Sequence, residues 1–305
     1  MVITNHNRCG DLRLALHSVA KQDYSNIEII VVDNASTDDS RSMVKKEFPD
    51  VSVVELCENI GMDGYSVGFR QSHGEFIFQM DNDSLMPDCD VLSEVAQRFR
   101  KGPMRQAVVA TRVEEYRYGK HEVDDLRKRD NRYGPINTGG FHAGGVGFRR
   151  VVLDSVGYYN RDVFLYASES FLIMKFLAAG HQIFYYPEIL MLHKSSGEAR
   201  SSRSLYFEIR NRYWFLRHFA CPAQKVLFIP TMVLHDIFYT VSKGAFGSFG
   251  KALLDGLRKL PPSLGNPIRS FEPEYVKKID EFGVQFGFPA LWKRICRGIR
   301  NLKIR

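Results

Sequence analysis

Short apolar runs alternate with stretches of helical period through the first third of the chain. Ile27–Val32 (IEIIVV) ends at Asp33, Val51–Leu56 follows, Phe76–Met80 (FIFQM) ends at Asp81, and Gln106–Thr111 (QAVVAT) is the fourth. Buried runs this short, spaced by helices, predict an α/β fold on a mostly parallel sheet. Leu12, Ala15, Leu16, Val19 and Ala20 repeat at i, i+3, i+4, i+7 and i+8, which predicts a first helix with Asp11 as its N-cap. Ser36 and Asp39 have capping-box spacing and predict the start of a second helix there. A short first strand, from Met1 or Val2 to near Thr4, is expected at the edge of the sheet.

Residues 112–140 are polar and charged and read as a surface loop or hairpin. Ser170–Ala179 (SFLIMKFLAA) is almost continuously apolar and predicts a buried helix stopped by Gly180. Glu188–Leu192 reads as a late strand. The pattern assigns residues 1–202 to one domain and 203–305 to a helical, basic and partly apolar region.

Charge separates the two regions. Residues 1–200 hold 24 Lys and Arg against 28 Asp and Glu, whereas 201–305 hold 18 against 7, a balance of +11. Such a region suits nucleic acid or an anionic membrane surface. Within it, Val226–Val241 is strongly apolar but interrupted by Pro230, His235 and Asp236. A membrane span needs about 20 apolar residues, so this run is too short and too broken. Arg210, Arg212, Arg217 and Lys225 precede it, and Lys243 and Lys251 follow it. That combination reads as helices lying on an anionic bilayer. The alternative is a helical subdomain with a solvated basic face. Leu, Ile and Phe punctuate the Lys and Arg, so no nucleic-acid partner is expected. Cys9, Cys57, Cys89, Cys221 and Cys296 are far apart with no CxxC pair, which fits reduced thiols. MVITNHNRCGDLRLAL lacks the apolar run of a secretory leader. The expected location is cytoplasmic, peripheral on the inner face of the cell membrane.

Four polar clusters follow separate elements: Thr4-Asn5-His6-Asn7-Arg8, Asp33-Asn34-Ala35-Ser36, Asp81-Asn82-Asp83 and Ser168-Glu169. Each alone could be a turn. In parallel α/β sheets, however, ligands bind outside the carboxyl ends of strands, and these clusters can converge on one edge. Asp81 and Asp83 offer hard oxygen ligands for Mg²⁺ or Mn²⁺, which would bridge a nucleoside diphosphate. Asp33 can accept from a base N–H or a ribose hydroxyl. No GxxxxGK[ST] is present and no GxGxxG follows the first strand, which disfavours a P-loop enzyme and a nicotinamide-dependent one.

The ordered series TNHNR, VVDNASTDDS, ENIGMDGYSVGFRQSHGEFIFQMDND, AGGVGFRR, FLYASESFLIMKFLAAGHQIFYYPE and LHKSSG resembles the family-two glycosyltransferases with the GT-A fold. The resemblance is to the branch that includes rhamnosyltransferase-like enzymes of bacterial surface polysaccharide synthesis, and it runs from about Val2 to Leu216. The resemblance implies a nucleotide-sugar donor, metal-assisted transfer and inversion at the anomeric carbon. It matches Thr4, Asn5 and Arg8 to the first nucleotide-contacting loop and Asp33 to the acid that recognises base or ribose. Asp81 and Asp83 fall at the ends of the family's DxD motif, with Asp83 the direct metal ligand. Gly144 and Gly145 fall beside the donor sugar and acceptor, and Glu169 at the catalytic base. His193 matches a histidine that approaches the metal in some members. One departure stands out: where the family shows EDxD, this chain has Ser168-Glu169-Ser170-Phe171.

The reading is an inverting, metal-dependent glycosyltransferase that uses a UDP- or dTDP-sugar donor and a saccharide acceptor, lipid-linked if the C-terminal third lies on the membrane. Its rivals are a non-catalytic nucleotide-binding scaffold, motivated by the eroded EDxD, and a dinucleotide-dependent oxidoreductase. Glu169, in the first turn of its helix, is expected to be kept ionised by the backbone N–H groups and the macrodipole.

Overall fold

The computed structural model describes residues 1–116, 136–137, 140–194, 202–242, 246–258, 260–268, 270 and 273–286. The chain divides into two compact units, Met1–Phe164 with Ser168–Glu198, and Leu165–Ala167 with Ala199–Arg305.

One sheet organises the first unit. Its strands are β1 (Val2–Asn5), β2 (Ile30–Asp33), β3 (Ser52–Glu55), β4 (Phe76–Asp81), β5 (Ser84–Leu85), β6 (Gln106–Tyr116), β7 (Ile136–Asn137), β8 (Val146–Arg149) and β9 (Gln182–Lys194). Their order is β3-β2-β1-β4-β8-β6-β9-β5, and β7 also pairs with β9. β3, β2, β1 and β4 are parallel, as their continuous apolar character predicts. β8 runs antiparallel between β4 and β6, so the sheet as a whole is mixed. The first strand is not at an edge. β1 lies inside the sheet between β2 and β4, with Val2 and Ile3 fully buried. Register places Thr4 beside Val32 and Asp81, and Asn5 beside Asp33. Three polar strand ends are thereby side by side.

Helices cover both faces because successive strand residues point to opposite sides. Ile3, Val31, Phe78 and Met80 pack with Leu12 and Leu16 of α1 (Cys9–Val19), Met43 of α2 (Ser40–Glu47), and Val95 and Phe99 of α4 (Val91–Lys101). On the other face, α3 (Asp63–Gln71) comes so close that a Cβ at Gly68 would collide with Val2 and Val32. α5 (Arg150–Val156) follows β8, and α6 (Ser168–Ala178) is the predicted buried helix. Phe176 of α6 stacks on Phe148, with ring centroids 6.0 Å apart. Gly180 ends that helix at φ +74°, with the His181 N–H donating to Phe176 O.

Both predicted caps differ. α1 starts at Cys9, whose N–H donates to Asp38 Oδ2, and Asp11 sits inside the first turn. α2 starts at Ser40, whose N–H donates to Asp38 Oδ1. The Ser36 hydroxyl instead accepts from Asn5 Nδ2 and the Asn7 N–H. Both candidate caps are committed to long-range contacts. β6 continues through Tyr116, so residues 112–116 of the expected loop are strand. The rest of that segment's centre (117–135) and residues 195–201, which follow the LHKSSG motif's histidine and lysine, lie outside the described residues.

The second unit is helical. It contains α7 (Ser202–Phe219), α8 (Pro222–Ser242), α9 (Phe246–Leu257) and α10 (Pro273–Phe286). The interrupted apolar run is a single helix that carries Pro230 within it. Asp236 is fully buried on it, accepting from Arg212 Nη2 at 2.6 Å and from the Tyr213 hydroxyl at 3.1 Å. The flanking arginines are thus engaged within the unit, Arg212 wholly and Arg210 and Arg217 in part. Arg212 is buried against Asp236, Arg217 donates to Gly256 O, and Arg210 lies 3.9 Å over the Trp214 ring. Lys243 lies outside the described residues. Among the described residues no helix is long and apolar enough to cross a membrane.

Candidate functional site

Asp81 is the last residue of β4, and Asp83 lies in the turn to β5. β5 pairs antiparallel with β9 and sets Ser84 opposite His193, which delivers the imidazole to the two acids. His193 Nε2 is 3.3 Å from Asp83 Oδ1 and 3.9 Å from Asp81 Oδ2. One ligand atom from each of Asp81, Asp83 and His193 lies within 4.8 Å of the others. Two carboxylates and an imidazole fit a divalent first-row cation, and the nitrogen suits Mn²⁺ better than Mg²⁺.

The electrostatics agree with that donor set. Burial pushes the Asp81 carboxyl above its ordinary range, and the like charge of Asp83 adds to this against the hydrogen bond from Tyr65. Burial also pushes Asp83 upward, but the His193 hydrogen bond and the charges of His193 and Arg8 outweigh it and hold it low. The same hydrogen bond to Asp83 raises His193. A dication placed among these groups would relieve the repulsion between the two acids.

Arg8, expected in the nucleotide loop, is joined here by neighbours that the sequence reading gave no role. The Tyr65 hydroxyl, fully buried, donates to Asp81 Oδ1 at 2.6 Å and lies 2.9 Å from Met80 O, which fixes the acid's rotamer. Arg8 Nη1 lies 3.2 Å from Asp83 Oδ2 and 3.2 Å from Asp11 Oδ2. Lys194 Nζ lies 2.7 Å from Asp11 Oδ1. His142, given no role above, stands edge-on to His193 with centroids 5.3 Å apart, and its Nδ1 accepts from the Gly144 N–H at 2.9 Å. Only the fold brings β9, the loop before β8 and α1 together here.

The remaining predicted residues fall into two groups. Asp33 is buried at the end of β2, where its Oδ2 accepts from the Ser36 N–H and lies 3.5 Å from Arg41 Nε. Its Oδ1 is buried without a hydrogen-bond partner. A buried carboxylate oxygen without a partner at a strand end still has an unused acceptor, which an N–H or O–H donor would satisfy once it is uncovered. Thr4, Asn5, Gly144 and Gly145 have structural work. Asn5 joins the three loops by donating to Ser36 Oγ and accepting from Asn82 Nδ2. Thr4 hydrogen-bonds Tyr65. A Cβ on Gly144 would crowd His142 and Ser84, and one on Gly145 would crowd Met191 and Thr111.

Glu169 is the second residue of α6. Its carboxyl is pushed up to about 7, by burial first and by the charge of Asp81 in addition, against its own backbone hydrogen bond. This reverses the direction expected from the helix terminus: desolvation outweighs the N–H groups here. Immediately before it, Tyr166 and Ala167 take left-handed φ values of 62° and 59°. The buried Asn211 amide donates to Leu165 O and Tyr166 O and holds that turn. A cavity of about 390 Å³, lined by Met1, Glu28, His73 and Arg100 among others, opens at the opposite, amino-terminal end of β4, away from these groups.

Comparison with known proteins gives the family and the fold. Residues 1–157 match the family model described as glycosyl transferase family 2. An uncharacterized glycosyltransferase of Nostoc sp. is 34% identical over 89 residues, 28% of this chain and 28% of that protein. The O-antigen chain rhamnosyltransferase WbaN of Salmonella anatum is 22% identical over 204 residues, 63% of this chain and 64% of that protein. The matches thus span less than two thirds of either relative. The mannosyltransferase PcManGT from Pyrobaculum calidifontis, solved in complex with GDP-Man and Mn²⁺, superposes with a TM-score of 0.54 at 19% identity. That superposition covers 100% of this chain and 79% of the other, and it shows a shared GT-A fold.

Proposed function

This chain belongs to glycosyl transferase family 2, and on that premise we propose that it transfers a sugar from a nucleotide-sugar donor to a saccharide acceptor with inversion. The observation that carries the reading is the convergence of Asp81, Asp83 and His193 at the carboxyl ends of the strands, with the buried, unpartnered Oδ1 of Asp33 on the same edge. Asp33 takes the base or ribose of a UDP- or dTDP-linked donor. Asp81, Asp83 and His193 would hold Mn²⁺ or Mg²⁺, which when bound supplies positive charge for the departing diphosphate. Arg8 contributes further positive charge beside it.

Glu169 is the base. With its carboxyl near 7, it is a stronger proton acceptor than an ordinary carboxylate and still substantially ionised near neutrality. It accepts the proton of the acceptor hydroxyl as that oxygen forms its bond to the anomeric carbon. The bond from that carbon to the diphosphate oxygen breaks with its electron pair going to the diphosphate. A single displacement of this kind needs one base and no nucleophile on the protein, which a lone Glu169 satisfies.

The acceptor we propose is lipid-linked, at the inner face of the cell membrane. The support is the outer face of α8, where Val226, Leu234, Phe238 and Val241 are 77%, 51%, 67% and 60% exposed. With Pro230 they repeat at helical spacing as one apolar stripe, in a region that carries a +11 balance. An apolar stripe on a basic helical unit suits an anionic bilayer surface.

Calorimetric titration of UDP in Mn²⁺ tests the donor site. Wild type should bind more tightly with Mn²⁺ than without it, and Asp83→Ala should lose that enhancement while keeping its fold. Equal metal enhancement in the variant would remove Asp83 from the site.

A further inference from the structure

We propose that Arg8 couples the cation site to the diphosphate site. Its guanidinium is the resident counter-charge of Asp83, and it passes to the diphosphate when a divalent cation takes that carboxylate. The inference rests on the donor-site reading above.

The network around Arg8 carries the argument. Arg8 has two anchors, Asp83 Oδ2 and Asp11 Oδ2, both at 3.2 Å, and its side chain is 43% exposed. Asp11 has a second cation, Lys194 Nζ, at 2.7 Å. Lys194 is fixed in turn, because its backbone N–H donates to Asp83 O at 2.9 Å. Asp11 and Asp83 are thus linked to two permanent cations, Arg8 and Lys194, in one connected set.

A dication entering beside Asp83 competes with the guanidinium for that carboxylate and repels it. The Arg8 end of the pair is 43% exposed, so water takes over the guanidinium as it leaves, and the incoming dication takes over Asp83, which is 14% exposed. Asp11 is not left bare when Arg8 moves, because Lys194 already neutralises it. The planar guanidinium fork matches a phosphate as well as a carboxylate. A diphosphate arriving with the metal therefore finds a cation already released and close by. Metal and diphosphate affinities become linked through Arg8, in addition to the direct bonds between the two ligands, and such linkage is reciprocal.

Two titrations on the full chain test this, one with Mn²⁺ alone and one with UDP in saturating Mn²⁺ or in EDTA. Arg8→Met keeps most of the side-chain length and removes the charge. Mn²⁺ alone should bind it about two- to fivefold more tightly, the gain from removing one exposed competing cation. UDP in Mn²⁺ should bind it about ten- to a hundredfold more weakly, the loss of a hydrogen bond to a charged group. Arg8→Lys should return the metal-only affinity toward wild type. A merely structural Arg8 would move both affinities the same way. Metal-only affinity that is unchanged or weaker in Arg8→Met, or UDP affinity that is unchanged, overturns the coupling while leaving the donor site standing. Wild type with no Mn²⁺-enhanced UDP binding overturns the donor site itself.

Discussion

Replacing Glu169 by Gln should make the protein more stable and nearly inactive at the same pH. The carboxyl is raised from 4.5 to about 7. At about 1.4 kcal/mol per pKa unit, the fold disfavours the carboxylate by about 3 kcal/mol, an upper figure because Glu169 keeps a partial solvent face. The folded state binds this proton more tightly than the unfolded chain. The protonated form's stabilisation is therefore complete below about 4.5 and is lost as pH rises through about 7. Gln carries no charge at any pH. Glu169→Gln should match wild type near pH 4 and exceed it near pH 8, by up to about 3 kcal/mol. Turnover should fall by about 10²- to 10⁴-fold with loss of the base. The wild-type rate in Mn²⁺ should rise with pH to a plateau, with its midpoint at or below about 7, because a cation at Asp81 cancels part of what raises Glu169. Urea denaturation at acidic and alkaline pH, run beside initial rates across the same range, reads both effects. A variant less stable than wild type near pH 8, or a wild-type rate flat across the neutral range, would refute the reasoning.

Other perturbations have equally definite signs. Asp236→Ala removes the buried carboxylate that Arg212 and Tyr213 donate to, leaving Glu208 at 3.8 Å from Arg212, and should destabilise the helical unit by about 3–5 kcal/mol, read by denaturation. Tyr65→Phe removes the hydroxyl that fixes Asp81. It should cost about 1–2 kcal/mol of stability and weaken Mn²⁺ binding measured by calorimetry. Leu234→Glu with Phe238→Glu should abolish the salt-resistant part of binding to anionic liposomes, because each side chain fully buried in lipid is worth roughly 1.5–3 kcal/mol. Co-sedimentation in low and high salt checks this, and salt-resistant binding that survives both substitutions would exclude the α8 face.

Strands were legible because a strand buried on both faces writes itself as a continuous apolar run; Ile30–Asp33 and Phe76–Asp81 are such cases. The interior place of β1 was not legible, since strand order is set by pairing across the chain rather than by the four residues themselves. Ser36 and Asp11 have the local chemistry of caps, yet their partners lie on other elements. The acids of the site could be found from their positions at strand ends. Tyr65 and Lys194 could not, because their roles depend on contacts with Asp81 and Asp11, 16 and 183 residues away. Arg212 shows the same limit in the other direction. A count of charges marks it as a basic flank, and only the packing of α7 on α8 shows that it neutralises Asp236.

The most direct test of the account is release of nucleoside diphosphate from a panel of UDP-, dTDP- and GDP-sugars by the intact protein, with saccharide acceptors, in Mn²⁺ and in EDTA. Release is expected from at least one UDP- or dTDP-sugar, dependent on metal and acceptor and abolished in Asp83→Ala and Glu169→Gln, with NMR reading an inverted anomeric configuration in the product. Metal-enhanced nucleotide binding without release from any donor would mark a binding scaffold, and a product of retained configuration would contradict the single displacement with Glu169 as its base.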